Sequence, residues 1–410
     1  MSDCCSAPGL LPFEQAVANM LSQVSSITET LTLPIEQAMH YVLEQDIASP
    51  LNVPPHDNSA MDGYAFAIES LKESKTLVQI GRSMAGAPFQ GTCQPGECIR
   101  IMTGAKMPDC CDSVEMQENV KADGENITFL QEKTFGSHVR NAGEDIKIDQ
   151  QVLYSGHKLA AVDIGVLASL GVADVVVYRK LKVALIATGD ELKLPGQALR
   201  SGDIYESNSF VLAAMLKTLH VDIIDFGIIA DDFEAIKAAF VSADEQADAV
   251  ISSGGVSVGD ADYTKTVLDD LGEIGFWKIA MKPGKPFAFG KLANSVFFGL
   301  PGNPVSALVT FHQLALVALT KMQNAKPLTR TNLSVKCSSD LRKSPGRLDF
   351  QRGVLSINEA GENVVASTGA QGSGILSSLA RANCFIVLPS EQGAVKAGEM
   401  VNVQLFDHYL

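Results

Sequence analysis

The chain has no excess of positive charge, no long apolar run and no C-x-x-C pair. It also lacks both common glycine-rich phosphate signatures, G-x-x-x-x-G-K-[ST] and G-x-G-x-x-G. Each absence excludes a class of function. Lys and Arg number 32 against 47 Asp and Glu, a formal net charge of −15. A protein that coats nucleic acid needs a basic footprint, so that class is excluded, although a few local lysines can still hold a small anion. No apolar run approaches the ~20 residues of a bilayer span. The start, MSDCCSAPGLLPFEQ, has neither the basic region nor the apolar stretch of a secretory signal. A cytoplasmic protein with no membrane partner is therefore expected. Eight cysteines include the adjacent pairs Cys4-Cys5 and Cys110-Cys111. That spacing suits neither a zinc ribbon nor a secreted disulfide framework, so free, reduced thiols are expected.

What is present is a packed, multidomain chain. With 410 residues, 46% of them hydrophobic, it is too long for one ordinary core, and two to four domains are expected. FEQAVANMLSQV puts Phe13, Val17, Met20, Leu21 and Val24 on one helical face. PIEQAMHYVLEQ predicts a second helix with Pro34 in its first turn. From about Thr76 to Ile146, short apolar runs broken by Gly and Pro predict a small β domain. From Val172 onward near-continuously apolar strands alternate with helices, which implies a central doubly wound parallel α/β sheet covered on both faces. Beyond about Thr329 the pattern returns to β, and a C-terminal barrel or sandwich is expected.

Ligands of an open α/β sheet bind beyond the carboxyl ends of its strands. Here LKVALIAT runs into GDEL, DIIDFGII into ADD, DAVIS into SGGVSVGDAD, and NSVFFG into LPGNPVS. Four strand ends thus deliver acids, glycines or a proline-fixed turn to one rim. In LPGNPVS, Asn303 is placed to N-cap a helix with Pro304 at its first position. The N–H groups at that helix start would attract an anion, with Ser306 adding a hydroxyl. An ordinary capped helix explains this motif on its own. KPGKP supplies Lys282 and Lys285, with Lys278 nearby, and in isolation it reads as a solvated basic loop. Glu191, Asp231 and Asp262 cannot all face an anion unaided, because like charges repel. A hard divalent cation such as Mg²⁺, held by one or two carboxylates and by phosphate, resolves the conflict. Helix capping by Asp231 and Asp262 explains each acid singly and the cluster poorly. NSAMDGYA, with Asp62, and IRIMTGA, with Thr103, are by local physics only turns.

PPHDNSAMDGYA, RIMTGA, GEDI, ATGDEL, SGGVSVGDADYTK, FWKIAMKPGKP, GLPGNPVS, GRLDFQRG and TGAQGS occur in this order. In that order they resemble the MoeA family of molybdopterin molybdenumtransferases, to which the gephyrin C-terminal domain is related. SGGVSVGDAD alone would also fit the smaller molybdopterin adenylyltransferases and CinA-like proteins. DNSAMDGYA with GRLDFQRG is far more specific, and the resemblance spans about Phe13 to Val403. It implies a homodimer of four-domain subunits: a discontinuous linking domain at 27–50 and 141–176, and a β domain at 51–140. The α/β molybdopterin-binding-like domain would take 11–26 and 177–327, and the C-terminal β domain 328–410.

The resemblance also implies a reaction. Adenylylated molybdopterin and molybdate, with Mg²⁺, give AMP and molybdenum cofactor, in a cleft completed by the second subunit. Asp62, Thr103, Asp145, Glu191, Asp231, Asp262, Lys278 and Lys282 match the family's functional positions. Arg352 and Ser373 match positions of the C-terminal domain associated with the site. In this scheme Asp231 and Asp262 bind Mg²⁺, and Lys282, Lys285 and Ser306 hold molybdate or the pterin phosphate. Glu191 orients water or pterin, while Gly254 and Gly255 let the backbone approach beside Ser257, Pro301, Asn303 and Pro304. Transient partners would be the molybdopterin adenylyltransferase and acceptor molybdoenzymes. Two other functions fit parts of the chain: adenylylation of the pterin, and a gephyrin-like dimeric scaffold.

Overall fold

The computed structural model describes residues 9–254 and 263–410. The chain divides into two compact units. One comprises Thr32–Met39 and Leu43–Val176; the other comprises Met1–Leu31, His40–Val42 and Val177–Leu410.

The larger unit is built on a six-stranded sheet. Its elements are β1 (Lys182–Thr188), α1 (Asn208–Leu219), β2 (Asp222–Ile229), α2 (Phe233–Gln246), β3 (Ala249–Ser253), α3 (Tyr263–Leu271), β4 (Glu273–Lys278), β5 (Pro286–Lys291), β6 (Val296–Leu300) and α4 (Pro304–Met322). The strand order is β2-β1-β3-β6-β5-β4. The four strands from β2 to β6 are mutually parallel, as the alternating pattern implied. β5 and β4 continue the sheet antiparallel, so FWKIAMKPGKPFAFG forms an edge ribbon.

Burial on both faces explains the apolar runs. In β1, Val183 and Leu185 enter one core while Ala184 and Ile186 enter the other. In β6, Phe298 and Leu300 join the first and Phe297 the second. The N-terminal helix Phe13–Gln23 lays Met20 into the first core, with Phe13, Val17 and Leu21 packed against it. α4 is apolar and long enough by composition to cross a membrane, but 89% of it is buried inside the protein. It is a core helix, and its π-helical turn at Phe311–Ala315 is fully enclosed.

A second six-stranded sheet follows. Leu348–Ile357 pairs with both Asn363–Ser367 and Cys384–Leu388, which closes the sheet into a barrel around Val365, Ile386 and Val403. Met281–Lys282 adds to this barrel in parallel, with Lys282 in register with Asp349. The intervening Gly284 has φ +102°, and a Cβ there would stand 2.3 Å from Thr310 Oγ1 on α4. Only glycine lets KPGKP lie this close to the helix.

The smaller unit contains a six-stranded sheet that includes Gly63–Phe66, Thr76–Ser83 and Glu97–Ile101, and a helix at Ala161–Ser169. Two sequence expectations fail. PIEQAMHYVLEQ is not a helix: Pro34 ends a strand and only Ile35–Gln37 turn, as a 3-10 helix. The rest of the stretch is turn and isolated bridge, with His40 at φ 70°, so its helical spacing was incidental. The cysteines are not all free thiols either, because Cys93 and Cys110 form a disulfide. The fold brings together residues that the spacing 93–110 left apart in sequence.

A buried polar cluster ties α4 to the chain's C-terminal segment. His312 is fully buried. Its Nδ1 accepts from Gln313 Nε2 at 3.1 Å, and its Nε2 meets Asp407 Oδ2 at 3.0 Å. Burial holds the imidazole below its ordinary 6.5, against the opposing pull of Asp407. Below pH 6.5 the unfolded chain therefore takes up a proton that the folded chain refuses. His312 thus contributes stability that is complete above its unfolded pKa and is lost as pH falls towards its lower folded pKa. The loss approaches about 1.4 kcal/mol per pH unit at most. Between pH 7.5 and 5 the thermal midpoint of wild type should fall more steeply than that of His312→Asn, so that the difference between them changes with pH. Parallel curves would contradict this assignment.

Candidate active site

Because β1, β2, β3 and β6 are parallel, the loops GDEL, ADD, SGG and LPGNPVS leave the same edge of the sheet. β2 lies on one side of β1 and β3 on the other, so the winding reverses at β1 and opens a crevice there. A cavity of 680 Å³ occupies it, with Thr188, Glu191, Gly254, Pro301, Asn303 and Pro304 in its wall. Ser253, Glu206, Asn208 and Gly374 also line it. Gly254 has φ +96°, and a Cβ there would stand 3.0 Å from Thr188 O. The turn brings bare backbone to the cavity, as its glycine implied. Gly255, Ser257, Asp260 and Asp262 lie outside the described residues.

The acids divide by task. Asp232 caps α2, accepting from Ala235 N at 2.9 Å. Asp231 is exposed, and its own N–H donates to Asp190 Oδ1 at 3.0 Å. Among the described residues nothing hydrogen-bonds the Asp231 carboxylate. The helix cap expected of Asp231 therefore falls to its neighbour, and Asp231 keeps a free oxygen-donor group. Such a donor suits a hard cation that retains water and phosphate ligands.

At the start of α4, Asn303 occupies the N-cap position and Pro304 the first turn, but the Asn303 side chain makes no cap bond. The Val305 N–H donates to Ser373 O at 3.0 Å. One amide expected to face an anion is thus used by the C-terminal domain, and Ser306 is buried. The same loop is held by Arg352, only 1% exposed, whose Nε donates to Ser378 Oγ at 3.0 Å and Nη2 to Gly372 O at 3.0 Å. Gln371 brackets the Arg352 backbone. Arg352 and Ser373 therefore shape the wall that ends in Gly374. Lys282 Nζ stands 3.6 Å from the buried Asp349 carboxylate, a consequence of their shared register. Lys278 and Lys285 are exposed.

Glu206 and Asn208 lie in no motif recognised from the sequence. Asn208 Nδ2 donates to Ser253 Oγ and to Gly302 O, both at 2.8 Å, and so spans two strand ends. Glu206 is 4% exposed. Its Oε1 accepts from Ser209 N at 2.9 Å, while its Oε2 is buried with no partner among the described residues. The signal was an acid just before α1 and an amide at its first position, in YESNS.

Asp62, Thr103 and Asp145 belong to the smaller unit. Asp62 and Thr103 form a pair: Oδ1 accepts from Thr103 N at 2.8 Å and from Thr103 Oγ1 at 2.7 Å. Asp145 is exposed, its N–H donating to Val53 O at 3.0 Å.

Residues 11–171 match the MoeA N-terminal region (domain I and II), 184–321 a probable molybdopterin binding domain, and 334–406 the MoeA C-terminal region (domain IV). A protein of Haemophilus influenzae described as a molybdopterin molybdenumtransferase is 47% identical over 98% of this chain and 100% of its own length. The chain belongs to the MoeA family. Among solved structures, a MoeA protein of Pyrococcus horikoshii superposes with TM-score 0.84 at 29% identity, covering 97% of this chain and 100% of that one. Gephyrin of Dictyostelium discoideum is 31% identical over 98% of this chain and 63% of its own length. The MoeA resemblance read from the motifs is thereby established.

The Asp62–Thr103 pair gives a direct test of the local geometry. The Thr103 N–H, then the Thr103 hydroxyl, hold the Asp62 carboxyl below its ordinary 3.8. Thr103→Val removes the hydroxyl and leaves the N–H. The Asp62 carboxyl, followed by carbon NMR, should then titrate higher than in wild type. An unchanged titration would show that the hydroxyl bond is not formed.

Proposed function

We propose that this MoeA-family chain is a molybdopterin molybdenumtransferase that inserts molybdenum from molybdate into adenylylated molybdopterin, releasing AMP. The observation that supports this best is whole-length similarity to a curated relative of that description. The cavity at the sheet's winding reversal has a size suited to a small organic substrate.

In this scheme the substrate lies over Gly254, whose missing Cβ admits the pterin or its phosphate to the backbone. Glu206 presents a buried carboxylate oxygen to donor groups of the pterin, and Asn208 fixes the two strand ends that frame it. Glu191 orients water or pterin at the mouth. Asp231 and Asp262 would hold Mg²⁺, which supplies charge neutralisation at the phosphate. Lys282, with Lys285 and Lys278 on the same rim, receives molybdate, and Asp349 keeps the Lys282 ammonium oriented. These groups stabilise and position an oxyanion, and no covalent enzyme intermediate is required. The four-domain division at 27–50 with 141–176, 51–140, 11–26 with 177–327, and 328–410 is retained as part of the proposal.

The chain is further proposed to act as a cytoplasmic homodimer. Asp62 and Thr103 of the partner subunit, with Asp145 of the partner subunit, close each cleft. The pairing of half-buried Asp62 with exposed Thr103 supports this, since ordering surface polar side chains costs conformational entropy.

Purified protein given adenylylated molybdopterin, molybdate and Mg²⁺ should release AMP and yield cofactor that reconstitutes an apo-molybdoenzyme. Asp231→Ala and Asp262→Ala should each abolish most of that yield, and an unchanged yield would remove the metal role. Glu206→Gln should weaken binding of the adenylylated pterin by about tenfold or more, the worth of a charged hydrogen bond, with the fold intact. Adenylylation of molybdopterin from ATP by this protein alone would instead favour the adenylyltransferase function.

Dimer completion has a separate test. Asp62→Ala and Asp231→Ala chains, each inactive alone, are co-expressed. Random pairing in a two-fold dimer should restore about a quarter of wild-type activity. No recovery would place each cleft within a single chain.

A further inference from the structure

The smaller unit gathers three sulfurs that the proposed reaction does not use. Cys93, in the loop before the strand Glu97–Ile101, is bonded to Cys110. Cys111 Sγ stands 3.7 Å from Cys93 Sγ. All three Sγ atoms lie within 4.8 Å of one another, and all three residues are half-buried. A disulfide that merely staples the 93–110 loop needs two sulfurs, so the third is surplus to that task.

We propose that, once the disulfide is reduced, Cys93, Cys110 and Cys111 form a three-thiolate site for a thiophilic monovalent cation, Cu⁺. Metal–sulfur bonds of about 2.3 Å place three sulfurs around one ion about 4 Å apart; Cys93 and Cys111 already stand 3.7 Å apart, and reduction frees Cys93 and Cys110 to separate from their bonded distance. Soft thiolates select Cu⁺ or Zn²⁺, and a closed zinc site takes four ligands. The cluster has three donors among the described residues, so Cu⁺ is favoured. A cavity of 350 Å³ reaches Cys93 and Cys110 and gives the ion a way in. Cys111 instead packs its inner side against Ile101, Ala105 and Val114, which fixes the third donor in place.

The chemistry balances simply. A cellular dithiol gives two electrons and two protons to the Cys93–Cys110 bond and becomes a disulfide itself. Each cysteine that ligates the ion then releases its proton to solvent, and copper remains Cu⁺ throughout. Thiol–disulfide exchange with a cellular disulfide, which takes up two electrons and two protons and leaves as two thiols, re-forms the Cys93–Cys110 bond, removes two of the three ligands and expels the ion.

The test uses the full chain with Cys4→Ser and Cys5→Ser, since that pair is itself a candidate thiol ligand. Reduced protein, kept anaerobic, is titrated with Cu⁺ against bicinchoninate. It should withdraw one Cu⁺ per chain, and protein with the disulfide intact should withdraw none. Cys111→Ser should weaken binding at least about tenfold, the low end of what even an outer-shell loss costs, while Cys337→Ser and Cys384→Ser leave it unchanged. If Cys111→Ser fails to fold, alkylation of the reduced parent reads the same point. Cu⁺ should protect Cys93, Cys110 and Cys111 together. No withdrawal of Cu⁺, full affinity without Cys111, or protection confined to other cysteines would each overturn the proposal.

Discussion

Everything at the candidate site depends on one constraint: the central sheet is buried on both faces. Val183 and Leu185 fill one core and Ala184 and Ile186 the other, so β1 has no face left for chemistry. Polar side chains can only collect where strands end. Because four strands run parallel, their ends share one edge, and the reversal of winding at β1 opens that edge between Thr188 and Gly254. The close fit that excludes ligands from the sheet's faces also admits one at its rim.

The barrel depends on the same edge. Met281–Lys282 pairs with its strand Leu348–Ile357, and Ser373 takes the Val305 amide. Two separate connections therefore fix the barrel against the rim, one through KPGKP and one through the start of α4. Arg352 serves the second by holding the Gly372 carbonyl from the same strand face as Phe350 and Phe385, the face that packs on the first core of the sheet. A residue can thus matter to the site without facing it. The buried guanidinium is ordered by Ser378 and Gly372, and the loop it orders supplies Gly374 to the cavity.

Much of this was legible in sequence. Alternating apolar strands and helices identified the parallel sheet, because burial on both faces leaves an unambiguous pattern. The acids and glycines after β1, β2, β3 and β6 located the rim for the same reason. Local rules failed where long-range packing decided. PIEQAMHYVLEQ had helical spacing but forms only a 3-10 turn at Ile35–Gln37, and Asp232 rather than Asp231 took the helix cap. Glu206 was invisible because its significance lies in a buried, unpartnered oxygen, which no spacing encodes. Cys93 and Cys110 meet only through the fold of the smaller unit. The pairing of Asp62 with Thr103 likewise joins two ordinary turns into one feature.

In the proposed scheme molybdate and pterin meet at the carboxyl edge of the sheet, beside β1 and β3. Crystals soaked with molybdate and AMP, measured at the molybdenum absorption edge, test it most directly. The anomalous peak should lie in or at the mouth of the cavity between Thr188, Gly254 and Asn303, within reach of the Lys282 side chain. A well-occupied molybdenum peak elsewhere, with this cavity empty, would rule out this edge as the molybdate site.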